Sequence, residues 1–94
     1  MPAVARLGDK CSGHGCFPPR ANNSASSDVF VNSIGAHRVG DNWLPHKCKK
    51  NIHASTLAEG SSTVFVNGKA LGRIGDDVAC GSVIAQGSSD VFSG

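Results

Sequence analysis

The sequence predicts an all-β domain of three short hairpins with approximate threefold symmetry. Three observations predict it. Helix formers are scarce: Val and Ile number 13 against 6 for Leu, Met and Glu together, and Gly, Ser and Pro contribute 28 of 94 residues. Residues 26–41, S-S-D-V-F-V-N-S-I-G-A-H-R-V-G-D, align without a gap with residues 61–76, S-S-T-V-F-V-N-G-K-A-L-G-R-I-G-D, at an offset of 35. A third copy is present in pieces, because the chain ends S-S-D-V-F-S-G from Ser88 and begins A-R-L-G-D at Ala5. Val29 to Arg38 is nine positions, as is Val64 to Arg73, and Val91 through Gly94 and on from Met1 to Arg6 is again nine.

Each unit reads as a hairpin. In V-F-V-N the side chains alternate across a sheet, and Asn67-Gly68 is a strong type I′ turn signal. Asn32-Ser33 stands at the same place in the other full unit. The return limbs carry Arg38 to Asp41 and Arg73 to Asp76. The split unit pairs residues 90–93 with residues 3–7, so residues 1–94 form one domain whose termini lie side by side. Phe30, Phe65 and Phe92 are read as equivalent packing positions. Segments 10–25, 42–60 and 77–87 are read as irregular loops, rich in Gly, Cys and His, that converge at one end of the axis.

The His and Cys positions follow the repeat. His14 lies five beyond Asp9, His46 five beyond Asp41, and Cys80 four beyond Asp76. Equivalent positions meet near a threefold axis, and two imidazoles with a thiolate suit a tetrahedral divalent ion such as zinc. For the fourth ligand His53 is the best candidate. Cys16 and Cys48, each seven beyond its Asp, are rivals. A metal also answers the shortage of core, since a chain this small has few large side chains to bury.

Other classes are disfavoured. Apolar runs are too short for a membrane span, and Met1 opens onto no basic and apolar leader. Without that leader, a disulfide framework among Cys11, Cys16, Cys48 and Cys80 is not expected. A net charge of +2 gives little general attraction to nucleic acid. Lys47, Lys49 and Lys50 read as a solvated loop. Catalysis is not expected: Glu59 is the sole Glu, no H-x-E or H-E-x-x-H occurs, and Asp9, Asp41 and Asp76 recur in every unit as turn-forming or Arg-pairing residues. His37, aligned with Ala5 and Gly72, is read as a surface or hairpin residue.

P-A-V-A-R at the N-terminus, G-A-H-R at 35–38 and A-L-G-R at 70–73, each leading into an R-x-G-D turn, resemble the proline-alanine-alanine-arginine (PAAR) repeat family. G-H-G-C-F-P-P-R at 13–20, H-R-V-G-D-N-W at 37–43 and V-F-V-N-G-K at 64–69 are most similar to its single-domain phage-type members. The resemblance covers essentially the whole chain. It implies a small cone of β-hairpins with one structural zinc near the vertex, held by three His and one Cys, which selects His14, His46, His53 and Cys80. It implies a non-enzymatic tip that caps the membrane-piercing, trimeric β-helical spike of a contractile phage tail or type VI secretion system. The expected partner is that spike, one monomeric tip per trimer, with no nucleic acid and no stable membrane insertion. The expected location is the virion tail or the secreted apparatus after synthesis in the bacterial cytoplasm, and the length leaves no room for a toxin domain. The alternative is a free zinc-stabilised module that binds an acidic partner or nucleic acid through Lys47, Lys49 and Lys50.

Overall fold

A computed structural model describes residues 1–94 as an all-β chain without helices. Its strands are β1 (Phe30–Val31), β2 (Ile34–Gly35), β3 (Asn42–Cys48), β4 (Asn51–Thr56), β5 (Phe65–Val66) and β6 (Lys69–Ala70). They form three separate antiparallel pairs, β1 with β2, β3 with β4 and β5 with β6. No helix is long and apolar enough to cross a membrane.

The repeat hairpins turn where the sequence places them. Asn67 and Gly68 have φ of 54° and 77°, the left-handed pair that a type I′ turn requires. Asn32 and Ser33 adopt the same conformation at 55° and 66°, although Ser33 lacks the freedom of glycine. At the termini Ala3 bridges Phe92, and Ser93 N donates to Pro2 O at 3.0 Å. Ser26, Ser61 and Ser88 each accept the N–H three residues on, from Val29, Val64 and Val91, all at 2.9 Å.

The hairpins join around a closed ring of backbone hydrogen bonds. Ala5 N donates to Gly72 O (2.9 Å), Gly72 N to His37 O (2.8 Å), and His37 N to Ala5 O (3.1 Å). Beside it Arg6 bridges Ala36, Arg38 bridges Leu71 and Arg73 bridges Val4, so the return limbs pair with neighbouring units. Each chain segment then leaves through an R-x-G-D turn closed by Asp N to Arg O at 3.0 Å. The third residue of each turn is Gly, with φ of 90° at Gly8, 91° at Gly40 and 93° at Gly75. The Asp carboxylate accepts both the backbone N–H and the guanidinium of its own Arg, in Arg6–Asp9, Arg38–Asp41 and Arg73–Asp76. The recurrent aspartates are therefore turn-closing and Arg-pairing.

Two small cores lie along this frame. One packs Ala5, Cys11, Trp43, Leu57, Val78 and Ile84, and the other Val4, Ala36, Val66 and Leu71. Overall extents of 37 × 24 × 22 Å give one long axis.

Three sequence expectations are corrected. Residues 42–60 are not an irregular loop, because β3 and β4 form the longest hairpin, with a register shift between Trp43 and His46 at Leu44-Pro45. Phe30, Phe65 and Phe92 are 58%, 58% and 49% exposed, so the inward-facing residues of V-F-V-N are Val31 and Val66 instead. His37 is fully buried. Its ring packs edge-on against Trp43 at 5.1 Å between centroids, with Nδ1 2.9 Å from Ser24 O, whereas at the equivalent Gly72 a Cβ would already meet Leu57 Cδ2 at 2.7 Å.

Burial pushes the His37 pKa below 6.5, although the hydrogen bond to Ser24 O and the charge of Asp41 oppose it. The Ser24 carbonyl can only accept, so Nδ1 carries the proton, and Nε2 has no partner for a second one. The folded protein thus holds His37 neutral at a pH where the unfolded chain is protonated. His37 contributes stability in full above its unfolded pKa and loses it as pH falls from there to the folded value. In that window the loss is about 1.4 kcal/mol per pH unit. His37→Gln is expected to remove this one-proton slope from the acid limb, measured by denaturant unfolding from pH 7.5 to 4.5.

Candidate metal centre

His46 and His53 are register partners on β3 and β4, which sets their side chains on one face of the hairpin. His14 arrives from the loop after the first R-x-G-D turn. There His14 N donates to Phe17 O (3.1 Å) and Phe17 N to His14 O (2.9 Å). Gly13 has φ of 72°, and a Cβ on it would overlap the backbone of Phe17 and Pro18, so glycine is required just before the ligand loop. Cys80 comes from the segment after the last R-x-G-D turn.

The four residues offer ligand atoms that all lie within 4.8 Å of one another, close enough to bind a metal ion. His46 Nε2 is 2.6 Å and His14 Nε2 3.1 Å from His53 Nε2. At Zn–N distances of about 2.0–2.1 Å, adjacent tetrahedral ligands sit roughly 3.3 Å apart; the His14–His53 pair is close to that spacing and the His46–His53 pair is tighter. The tautomer agrees. His46 Nδ1 lies 2.9 Å from Pro18 O and must carry the proton, which leaves the Nε2 lone pair aimed into the cluster. Phe17 packs over all three rings, 4.2 Å from His53 and 4.8 Å from both His14 and His46 between ring centroids.

Electrostatics favour the ligating forms. Burial lowers the pKa of His46 and of His53, helped in both by the Arg20 charge and by neighbouring imidazoles. Burial would raise the Cys80 thiol, but hydrogen bonds from the Ser82 side chain and backbone, with Arg20, outweigh it and bring the pKa below its ordinary value. Neutral imidazoles and a thiolate are the forms that bind metal.

Cys16 and Cys48 are joined in a disulfide, Cα–Cα 5.5 Å, contrary to the expectation of free thiols. The bond ties the His14 loop to the end of β3 and leaves neither sulfur as a free thiolate. The equal spacing of the two cysteines from their aspartates placed them together, and the leader argument used against disulfides does not bear on local geometry. Cys11 is buried beside Arg20, and Cys80 is the other free cysteine. Phe17 and Arg20 were not singled out from sequence, although both belong to the C-F-P-P-R run between His14 and β3.

A family model for the PAAR motif matches residues 22–86. The chain belongs to the PAAR-motif family. The PAAR match takes in His46, His53 and Cys80, while His14 lies before it and joins the group by geometry. Over 69 residues the chain is 35% identical to the double-stranded DNA deaminase toxin A of Burkholderia cenocepacia (strain H111), covering 73% of this chain and 5% of that protein. Over 75 residues it is 37% identical to the NAD(P)(+) glycohydrolase toxin Tse6 of Pseudomonas aeruginosa, covering 73% of this chain and 17% of the toxin. The (p)ppApp synthetase toxin Tas1 of P. aeruginosa (strain UCBPP-PA14) matches with the same identity and coverage. The PAAR chain thus spans between 5% and 17% of the length of these relatives.

Proposed function

We propose that this PAAR domain is the tip of the trimeric β-helical spike of a type VI secretion system or contractile phage tail. Its role is structural rather than catalytic, and it travels with the secreted apparatus. Residues 1–94 act as one unit whose third repeat is split between the termini. One zinc, held by His14, His46, His53 and Cys80, stiffens the pointed end; bound there, it supplies four fixed bonds to loops that have no apolar core. Alignment with a small part of three toxins supports a carrier role, in which a tip of this kind rides with effector domains to a target cell.

The observation that carries the reading is the threefold set of exposed Val-Phe pairs. Phe30, Phe65 and Phe92 stand 49–58% exposed, with Val29, Val64 and Val91 beside them at 37–39%. In this reading the hairpins lie on one side of the ring through Ala5, His37 and Gly72, and the metal loops on the other. Three like apolar contacts from a monomer match three identical subunits, and exposed strand edges between them can extend a β-helix. Apolar strand contacts resist moderate salt.

Native mass spectrometry with the cognate trimeric spike tests this. One chain per trimer is expected, and deletion of residues 88–94, which removes Phe92 and its pairing with Ala3, is expected to abolish docking. Three tips per trimer, or full docking by the truncated chain, would refute it.

A further inference from the structure

Arg20 is buried, 7% exposed, yet no carboxylate reaches it. The guanidinium–carboxylate pairs of the structure are the three within R-x-G-D turns. A buried cation is costly unless its donors are satisfied and its charge is opposed. Arg20 Nε donates to Leu44 O at 2.8 Å. Nη1 donates to Cys11 Sγ at 3.0 Å and to Ser82 Oγ at 3.3 Å, and Nη2 donates to Cys80 Sγ at 3.4 Å. The guanidinium carbon lies 5.3 Å from the centre of the Trp43 ring.

We propose that Arg20 is a positioning residue for the metal centre, holding the Cys80 sulfur in ligating orientation and locking it to β3. The inference rests on the metal reading of His14, His46, His53 and Cys80. Cys80 sits on a segment outside the β3–β4 hairpin that carries His46 and His53. One rigid planar group spans the gap, with one edge on the β3 carbonyl of Leu44 and its far nitrogen on Cys80. Ser82, within 3.5 Å of Cys80 Sγ, shares the Nη1 donor and fixes the same sulfur from its own segment. Lysine cannot reproduce this grip, because a point charge reaches a sulfur or the carbonyl but not both.

The test uses cobalt(II) in the full chain, with affinity read by competition against a chelator and sulfur ligation read from the thiolate-to-cobalt charge-transfer band. Arg20→Met is expected to weaken cobalt binding about 10–100-fold, the usual cost of an outer-shell partner, and to shift the band. Arg20→Lys is expected to fall between Arg20→Met and wild type. In a Cys80→Ser background the band is absent, and neither Arg20 substitution should change affinity by more than about twofold. If Arg20→Met does not fold, Arg20→Lys carries the same comparison. Equal losses in both backgrounds would mean that Arg20 only supports the fold, and unchanged affinity and band in either variant would also overturn the inference. Failure of the wild type to take up cobalt overturns the metal reading itself, whereas normal uptake with an indifferent Arg20 overturns this inference alone.

Discussion

His46→Ala is expected to abolish zinc uptake and to lower stability by several kcal/mol, with a matching loss when wild type is stripped by a chelator. His46 is the most buried of the three histidines, at 5% exposure, and its Nδ1–H is already committed to Pro18 O. Its Nε2 therefore has one use, and alanine removes it. Structural zinc in finger peptides binds with roughly 10–16 kcal/mol of apparent free energy, much of which appears as folding free energy. Here the share is expected to be smaller, because the ring through Ala5, His37 and Gly72 and the buried residues of the two cores are not among the four candidate ligands. Elemental analysis should find one zinc per wild-type chain and none in the variant. Thermal unfolding should then show the variant insensitive to chelator and wild type strongly sensitive. Equal melting with and without metal would sink the structural-zinc reading.

Much of the frame was legible because symmetry repeats its own signals. The offset of 35 places V-F-V-N and R-x-G-D twice in register, and the nine-residue spacing recovers the split copy. Asn67-Gly68 names its turn, and Asp9, Asp41 and Asp76 could serve no single site while recurring three times. The same counting brought His14, His46 and Cys80 together, and the family resemblance selected His53 over Cys16 and Cys48 as the fourth.

The misreadings of Phe30, Phe65, Phe92 and His37 share a physical cause, because each turned on which way a side chain faces. In V-F-V-N a period of two shows that Phe and the following Val face opposite sides, but not which side meets the core. N-W-L-P-H-K-C hides β3, since Pro45 and the register shift break alternation, so only Trp43 and His46 mark the buried face. His37 sits in a column with Ala5 and Gly72. Its burial comes from Trp43 and Ser24, tertiary partners that the column itself does not show. Arg20 had no partner legible in sequence, because Cys11, Leu44, Cys80 and Ser82 are brought together around it only by the fold.

Replacing both Cys16 and Cys48 by Ser is expected to cost about 3–4 kcal/mol in the metal-free protein, from the loop-closure entropy of a crosslink with a sequence separation of 32. In the zinc-loaded protein the cost should be smaller, because metal and disulfide restrain the same segments. The disulfide links the His14 loop to β3, and the proposed zinc links that loop to His46 on β3 as well. Either one alone closes most of the chain that the other would close, so the two effects are strongly non-additive. The double variant should retain one zinc per chain, since neither cysteine is a ligand in this geometry. Unfolding measured for wild type and variant, each with and without chelator, gives the coupling directly. Loss of zinc from the variant would make Cys16 or Cys48 a ligand, and purely additive losses would mean that the two restraints act on separate parts of the vertex. Reductant should reproduce the effect of the double substitution on wild type and leave the variant unchanged, which ties the stability difference to the bond and not to the serine side chains.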